Sequence, residues 1–295
     1  MEKMTSNNTG CRFLIPNQKD REIKHQFNER QPTRERGEGR LKRSQINTRN
    51  MNRIPTGVTG LDALIEGGLP EGRSYLVSGA TGTGKSIFCT QFIYNGAMMY
   101  KQPGVYVTLD ERPSLLREDM LSFGWDIRKL EDDNLIEMID GSIAKIGLPS
   151  DESFSMPTGF DLDKLLLEIM RTTRRIGAKR VVIDSLPALG INFENTNEVR
   201  KAILKVSYML ERTGVTSLLV SEMEEGSNKF SKYGVEEFVV DGVFALHYLG
   251  LGSQSNRTMH IRKLRATHHS EELHPIQITS KGMQILGSGD IYKNV

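Results

Sequence analysis

The chain has 295 residues, 39 Lys and Arg against 37 Asp and Glu, and a hydrophobic fraction of 37%, which fits one large α/β domain or two small ones. Its two cysteines are too few for a disulfide framework or a zinc site. No apolar run is long enough for a transmembrane helix or for a secretory signal in the first 30 residues, so we expect a reducing, cytoplasmic setting without membrane contact.

The charge is unevenly divided along the chain. Residues 1–53 hold 13 basic and 6 acidic residues, a net charge of +7, and the remainder holds 26 and 31, a net charge of −5. Because residues 1–50 show no hydrophobic periodicity, we predict a disordered basic arm before a globular domain over 51–288 and a short tail over 289–295. We interpret the arm as a solvated tail, with contact to nucleic acid or an acidic partner as the alternative.

Residues 79–86 read GATGTGKS, the phosphate-binding loop pattern G-x-x-x-x-G-K-[ST], between an apolar strand and an apolar helix. The glycines let backbone N–H groups turn toward phosphate oxygens, and the following helix adds its positive N-terminal end. Lys85 is predicted to contact the β- and γ-phosphates and Ser86 to bind Mg²⁺. The alternative is a Gly-rich turn without a nucleotide. The expected nucleotide contacts here are Gly79, Ala80, Thr81, Gly82, Thr83, Gly84, Lys85, Ser86 and Ile87.

Strands and helices are predicted to alternate from residue 54 onward. We predict strands over 75–79, 104–110, 135–140, 180–184 and 215–222, and helices over 86–100, 114–123, 161–176 and 197–213. Strands over 239–249, 257–264 and 276–279 follow without a long helix. The fold class is therefore α/β, with a mainly parallel central sheet flanked by helices and antiparallel strands at the C-terminal edge. Cys89, in the first helix, is expected to be buried.

The predicted strand over residues 180–184 reads RVVID and ends in a carboxylate. In nucleotide hydrolases such a strand lies beside the phosphate-loop strand, and its aspartate holds Mg²⁺ through water. We therefore predict that Asp184 and Ser86 form the metal site. The alternative role of Asp184 is a turn or helix N-cap residue.

Asp110 and Glu111 end the strand predicted after the phosphate-loop helix. The carboxyl end of this strand faces the same crevice as the phosphates. Hydrolysis needs a group that orients or deprotonates the attacking water. Glu111 is our first choice and Asp110 the second, and a solvated acidic pair is the alternative.

Lys263 and Arg265 flank Leu264 at the end of a late strand, where alternation places the two cations on one face. They could stabilise phosphate charge, although spacing alone favours an exposed strand face. The adjacent residues His268 and His269 point apart, which makes a poor metal pair.

Six segments together give a specific resemblance: RIPTGVTGLDALIEGGLPEGRSYLVSGATGTGKS, GVYVTLDERP, SFGWD, RVVIDS, KYGVEEFVVDGV and KLRATHH. Over residues 54–287 the chain resembles the KaiC family of the RecA-like ATPase superfamily. The resemblance implies a RecA-like P-loop NTPase fold and a ring of copies, expected to be a hexamer. It also implies hydrolysis of ATP with Mg²⁺ between neighbouring copies, which we expect to be slow because Asp110 replaces a catalytic glutamate.

The resemblance also implies roles for particular residues. Asp110 and Glu111 fall on the family's paired catalytic glutamates, which favours Glu111 as the residue that activates water, with Asp110 as a helper. Lys85 is expected to share in catalysis. Contacts with the nucleotide of the adjacent copy are implied for Lys263, Leu264, Arg265, Thr267 and His269.

Two departures limit the resemblance to the clock protein. This chain has one ATPase domain instead of two, and residues 237–238 (EF) stand where the second domain has a phosphorylated Ser-Thr pair.

The leading hypothesis is an ATPase ring that regulates an unidentified partner. The second is a DNA-binding recombinase or recombination mediator, based on the arm and the loop over 224–234. The third is a slow nucleotide-sensing switch, because Asp110 replaces a glutamate.

Overall fold

The computed structural model describes residues 51–142, 160–193, 195–224, 229–251 and 254–287. Its strands are β1 Arg53–Ile54, β2 Leu69–Pro70, β3 Ser74–Gly79, β4 Gly104–Thr108, β5 Ile136–Asp140, β6 Arg180–Asp184, β7 Thr216–Glu222, β8 Gly242–Leu251, β9 Gln254–Leu264, β10 Leu273–Thr279 and β11 Gly282–Ile285. Its α-helices are α1 Lys85–Tyr100, α2 Pro113–Leu121, α3 Ile127–Asp132, α4 Leu162–Ile176, α5 Thr196–Thr213 and α6 Glu236–Val239. Among the described residues, short 3₁₀ helices lie at Asp62–Leu64 and Leu186–Asn192.

Nine strands form one sheet in the order β11-β10-β9-β8-β3-β7-β6-β4-β5, and β1 pairs with β2 separately. The six strands from β8 to β5 are parallel. Strands β9, β10 and β11 continue the sheet with antiparallel pairing. This architecture confirms the predicted α/β fold with antiparallel strands at the C-terminal edge.

Helices cover both faces of the sheet and create two hydrophobic cores. Phe88 and Phe92 of α1 belong to the first core, which also includes residues of α2 and α3. Leu165 of α4 and Val206 of α5 belong to the second. Burial of one such side chain contributes about 1.5–3 kcal/mol to folding. Cys89 is fully buried in the first core, as predicted.

The strand that ends in Asp184 does not lie beside the phosphate-loop strand, so that expectation was wrong. Strand β7 separates β6 from β3. Residues 216–221 of β7 are all buried, and a strand buried on both faces belongs in the centre of a parallel sheet. Helix α1 packs on the sheet face over β6, and this brings the start of α1 to Asp184.

Several predicted strand boundaries also differ from the structure. Strand β4 ends at Thr108 rather than residue 110, because the Thr108 hydroxyl donates to Glu111 O (2.6 Å) and accepts from Glu111 N (3.2 Å) in a turn. The strand predicted from residue 239 begins at Gly242, after α6. The buried Glu236 carboxylate accepts from the N–H groups of Tyr233 and Val235, which holds the chain in the α6 turn.

Strand β9 contains a β-bulge that changes which residues share a face. Ile261 pairs with Phe244 and Lys263 pairs with Val243, so that Arg262 is the extra residue. Ile261 and Phe244 belong to the first core, whereas Val243 belongs to the second. The bulge therefore moves Lys263 to the face opposite Ile261.

Within the described ranges, none of the helices combines the length and the apolar character that crossing a bilayer requires.

Candidate functional site

The phosphate-binding loop follows β3, as predicted. Gly82 and Gly84 have φ values of 79° and 100°, which glycine adopts without strain. A Cβ on Gly79 would lie 2.6 Å from Thr83 Oγ1 and 2.7 Å from Leu246 O, so this position has no room for a larger residue. The Thr83 hydroxyl donates to Ala80 O (2.8 Å) and closes the loop.

Lys85 begins α1, and its ammonium group crosses the loop. Its Nζ donates to Gly79 O (2.9 Å) and Ala80 O (3.0 Å). Burial lowers the pKa of Lys85, while the charges of Asp184 and Glu222 act in the opposite direction. A partly buried cation beside backbone N–H groups is suited to bind phosphate oxygens.

Ser86 and Asp184 meet at the floor of the same cavity. The Ser86 hydroxyl donates to Asp184 Oδ2 (2.9 Å), and the Tyr106 hydroxyl donates to the same oxygen (2.7 Å). Burial raises the pKa of Asp184, and the hydrogen bonds from Tyr106 and Ser86 counteract this effect. Burial also raises the pKa of Tyr106 well above its ordinary value, so the phenol remains a neutral donor.

The two other predicted acids lie next to this pair. Asp110 lines the cavity and accepts a hydrogen bond from the Ser185 hydroxyl. Glu111 is half-buried in the turn after β4. Burial raises the pKa of Glu111, and the charges of Asp119 and Asp184 raise it further. A carboxylate with a raised pKa is a stronger base than an ordinary glutamate.

Lys85, Ser86, Asp110 and Asp184 line an open cavity of about 420 Å³ at the carboxyl end of β3, whereas Glu111 and Tyr106 are not among the residues that line it. This is the edge at which parallel α/β sheets bind ligands. The residues that line the cavity are Thr81, Gly82, Gly84, Lys85, Ser86, Ile87, Asp110, Asp184, Ser185, Glu222, Arg257 and Ile278.

The predicted cations at the end of β9 and just after it lie at the opposite end of the strands from the cavity. Lys263 Nζ donates to Glu237 O (3.0 Å) and also to Val240 O, and burial together with the Arg265 charge lowers its pKa. Arg265 Nη1 lies 3.6 Å from Asp241 Oδ1. Both cations therefore lie against residues 237–241 and not against the cavity of their own chain.

The other residues expected there end β9 or follow it directly. Leu264 is buried in the first core. The Thr267 hydroxyl accepts from Arg53 Nη1 (3.0 Å), and Thr267 O lies 3.1 Å from His269 Nδ1. The structure thus groups Thr267 and His269 with Lys263 and Arg265, at a distance from the phosphate loop.

Sequence reasoning missed several residues of the cavity. Arg257, at the other end of β9, donates from Nε to Gly82 O (3.0 Å) and lies 5.1 Å from the centre of the Tyr248 ring. Glu222 enters the cavity because it pairs with Gly79 across β3 and β7. Neither residue stands in a recognisable motif. Only the strand order places Arg257 and Glu222 beside the phosphate loop.

In the loop considered for DNA contact, several of the described side chains contact other residues of the same chain. Lys232 pairs with Glu224 (3.3 Å). Arg262 lies over the Phe230 ring at 5.2 Å, and the Tyr233 hydroxyl donates to Pro187 O (3.0 Å). Residues 225–228 of this loop and the basic arm over 1–50 lie outside the described residues. The described part therefore adds no support to a DNA-binding role.

A phosphate-binding loop after a central strand of a mainly parallel sheet, with a serine bonded to an acidic strand end, defines a P-loop domain of RecA-like fold. A family model described as "ATPase: KaiC" matches residues 54–290. The chain belongs to the KaiC ATPase family.

Several known proteins are similar to this chain. A UPF0273 protein from Pyrococcus furiosus is 38% identical over 249 residues, which cover 82% of this chain and 99% of that protein. The circadian clock oscillator protein KaiC of Synechococcus elongatus is 37% identical over 237 residues, 80% of this chain and 44% of that protein. The chain thus spans less than half of the clock protein.

A solved structure supports the same fold. The crystal structure of a KaiC-like protein from Pyrococcus horikoshii OT3 superposes with a TM-score of 0.71 at 39% identity. The match covers 80% of this chain and 100% of that one. At this identity and coverage, the fold of the matched region is RecA-like.

Proposed function

We propose that this chain binds ATP with Mg²⁺ and hydrolyses the nucleotide between neighbouring copies in a ring, expected to be a hexamer. We further propose that turnover regulates a partner protein, which the clock-oscillator name of several relatives supports. A KaiC-type domain with a phosphate-binding loop supports nucleotide binding.

The proposal rests mainly on the distance between two groups of positively charged side chains in the same sheet. Arg257 lies beside the phosphate loop, and Lys263 and Arg265 lie six and eight residues further along the chain. An extended strand rises about 3.3 Å per residue, so the two ends are about 20 Å apart. This distance separates Lys263 and Arg265 from the phosphate loop of their own chain, which supports the proposal that they contact the nucleotide of an adjacent copy.

The chemistry of the cavity fits a nucleotide with a divalent cation. Ser86 and Asp184 supply hard oxygen atoms 2.9 Å apart, which suits Mg²⁺. When bound, Mg²⁺ neutralises phosphate charge. In the proposed reaction the loop N–H groups and Lys85 hold the phosphates, and Glu111 accepts a proton from the attacking water. Lys263 and Arg265 of the adjacent copy are proposed to stabilise charge on the transferred phosphoryl group.

A measurement of assembly tests the proposed interface between neighbouring copies. A non-hydrolysable ATP analogue with Mg²⁺ is expected to shift the mass measured by light scattering from one 33.2 kDa chain to several. Lys263→Ala/Arg265→Ala should weaken this shift, because the cations that contact the neighbouring phosphates are lost. Lys164→Ala/Arg171→Ala, which removes two exposed cations of α4, should assemble as the wild type does. A chain that stays monomeric under all conditions would contradict the ring.

The pH dependence of hydrolysis tests the proton acceptor. Because the pKa of Glu111 is raised, its carboxylate becomes protonated at a higher pH than an ordinary glutamate does. Once protonated, Glu111 can no longer accept a proton from the attacking water. Turnover should therefore decline on the acid side at a pH above the usual glutamate range. The decline in turnover at low pH, the acid limb of the profile, should be absent or displaced in the residual activity of Glu111→Gln measured over the same pH series. An unchanged limb would assign it to another group, such as Asp184.

A further inference from the structure

Tyr106 is a buried tyrosine of β4 whose hydroxyl reaches the acidic end of the neighbouring strand. Its side chain is 2% exposed. Tyr106 pairs with Val182 and Thr108 pairs with Asp184, so the phenol and the carboxylate lie on the same face of adjacent strands. Tyr106 and Val182 belong to the core covered by α1. The phenol is therefore fixed by packing before it donates its hydrogen bond.

We propose that Tyr106 is a positioning residue that orients Asp184 for the divalent cation, an inference that rests on the function proposed above. The Tyr106 hydroxyl donates to Asp184 Oδ2 at 2.7 Å. A carboxylate held through Oδ2 offers Oδ1 as its remaining oxygen. A group that donates a hydrogen bond to one oxygen of a metal-binding carboxylate restricts the orientation of the other oxygen. Loss of such a group weakens metal binding.

Ser86 cannot perform this task alone. Its hydroxyl donates to the same Oδ2 at 2.9 Å, but its oxygen is also the expected ligand of the cation. The Tyr106 hydroxyl has no such second task, because Tyr106 is 2% exposed and is not among the residues that line the cavity. The phenol is therefore the donor that can hold Asp184 whether or not the cation is bound.

Tyr106→Phe tests the inference, because it removes one oxygen atom and keeps the ring. The measured quantity is the affinity for a fluorescent, non-hydrolysable ATP analogue at increasing Mg²⁺, and again with a chelator. The half-saturating Mg²⁺ concentration should rise about 10- to 100-fold in the variant. Affinity in the chelator should stay within about twofold of the wild type, because the loop and Lys85 are unchanged. Ca²⁺, which accepts irregular geometry, should show a smaller loss than Mg²⁺.

Tyr75→Phe is the matched control. Tyr75 is fully buried, and its hydroxyl donates to Pro70 O (2.8 Å), away from the cavity. Each variant loses one hydrogen bond, so both melting temperatures should fall, and the fall should be larger for Tyr106→Phe because its acceptor is a carboxylate. Only Tyr106→Phe should change the response to Mg²⁺.

The possible outcomes separate this inference from the proposed function. A Tyr106→Phe variant with the Mg²⁺ response of the wild type would overturn the positioning role. Equal losses for Mg²⁺ and Ca²⁺ would also overturn it, because they indicate an electrostatic effect that does not depend on geometry. A wild-type chain that binds no analogue, or binds it without regard to Mg²⁺, would instead overturn the proposed function.

Discussion

Glu111→Gln is expected to lower ATP turnover by about 100- to 10,000-fold, the usual contribution of general acid–base catalysis. Glutamine keeps the shape of the side chain but cannot accept the proton of the attacking water. The raised pKa of Glu111 and its position in the turn after β4, near Asp184, support this role. Nucleotide affinity should remain near the wild-type value, because the phosphate loop is unaltered. Phosphate release and analogue binding measure the two effects separately.

Two variants make this result specific. Glu118→Gln removes an exposed carboxylate from α2 and should leave turnover unchanged. Asp110→Asn should have an effect between the two, because Asp110 lines the cavity but is engaged by Ser185. If Asp110→Asn abolished turnover and Glu111→Gln did not, Asp110 would be the base. If Glu111→Gln changed neither turnover nor partner binding, a nucleotide-sensing switch would become the better hypothesis.

Arg180→Ala is expected to reduce the free energy of unfolding by about 3–5 kcal/mol. Arg180 is 0% exposed, and its guanidinium donates to Phe92 O (2.8 Å), Pro55 O (2.8 Å) and Gln102 Oε1 (2.9 Å from Nε). It also lies 4.5 Å from the centre of the Phe92 ring. Alanine would leave these buried acceptors without their donor and would open a cavity.

The charge of Arg180 is retained at neutral pH. Burial lowers its pKa to about 10, which is still well above neutrality. Differential scanning calorimetry should show a melting temperature lower by roughly 10 °C for a domain of this size. Arg175→Ala is the control, because Arg175 is 53% exposed and pairs with Glu137 at the surface; its loss should cost less than about 1 kcal/mol. Equal effects in the two variants would contradict the anchoring role of Arg180.

The phosphate loop could be predicted from the sequence because its chemistry is local. Lys85 and Ser86 adjoin the glycines that shape the loop, and a strand and a helix are expected on either side. Asp184 was also predictable, because an apolar strand that ends in a carboxylate is a short-range pattern. The position of β7 between β3 and β6 was not, since strand order depends on contacts between distant segments.

Tyr106 and Arg257 show why the rest of the site was missed. Each stands in a strand whose local pattern explains its presence without reference to a site. Tyr106 reaches Asp184 because β4 pairs with β6, and Arg257 reaches Gly82 because β9 follows β8 and β3 in the sheet. The short helix α3 was missed because six residues carry too little periodicity, although Asp126 caps it through Lys129 N.

The extra residue Arg262 in β9 bears on how this chain can vary in length. Up to Ile261 the strand alternates in register with the core beneath α1, and beyond the bulge Lys263 occupies the other face. Deletion of Arg262 would close the bulge and keep Lys263 opposite Val243. A strand that kept Arg262 but paired it with Val243 would instead turn the Lys263 ammonium group toward the core of Ile261, which strongly disfavours a charge. A chain that lacks a residue at position 262 should therefore keep Lys263 on its present face, whereas a chain that has this residue needs the bulge to do so.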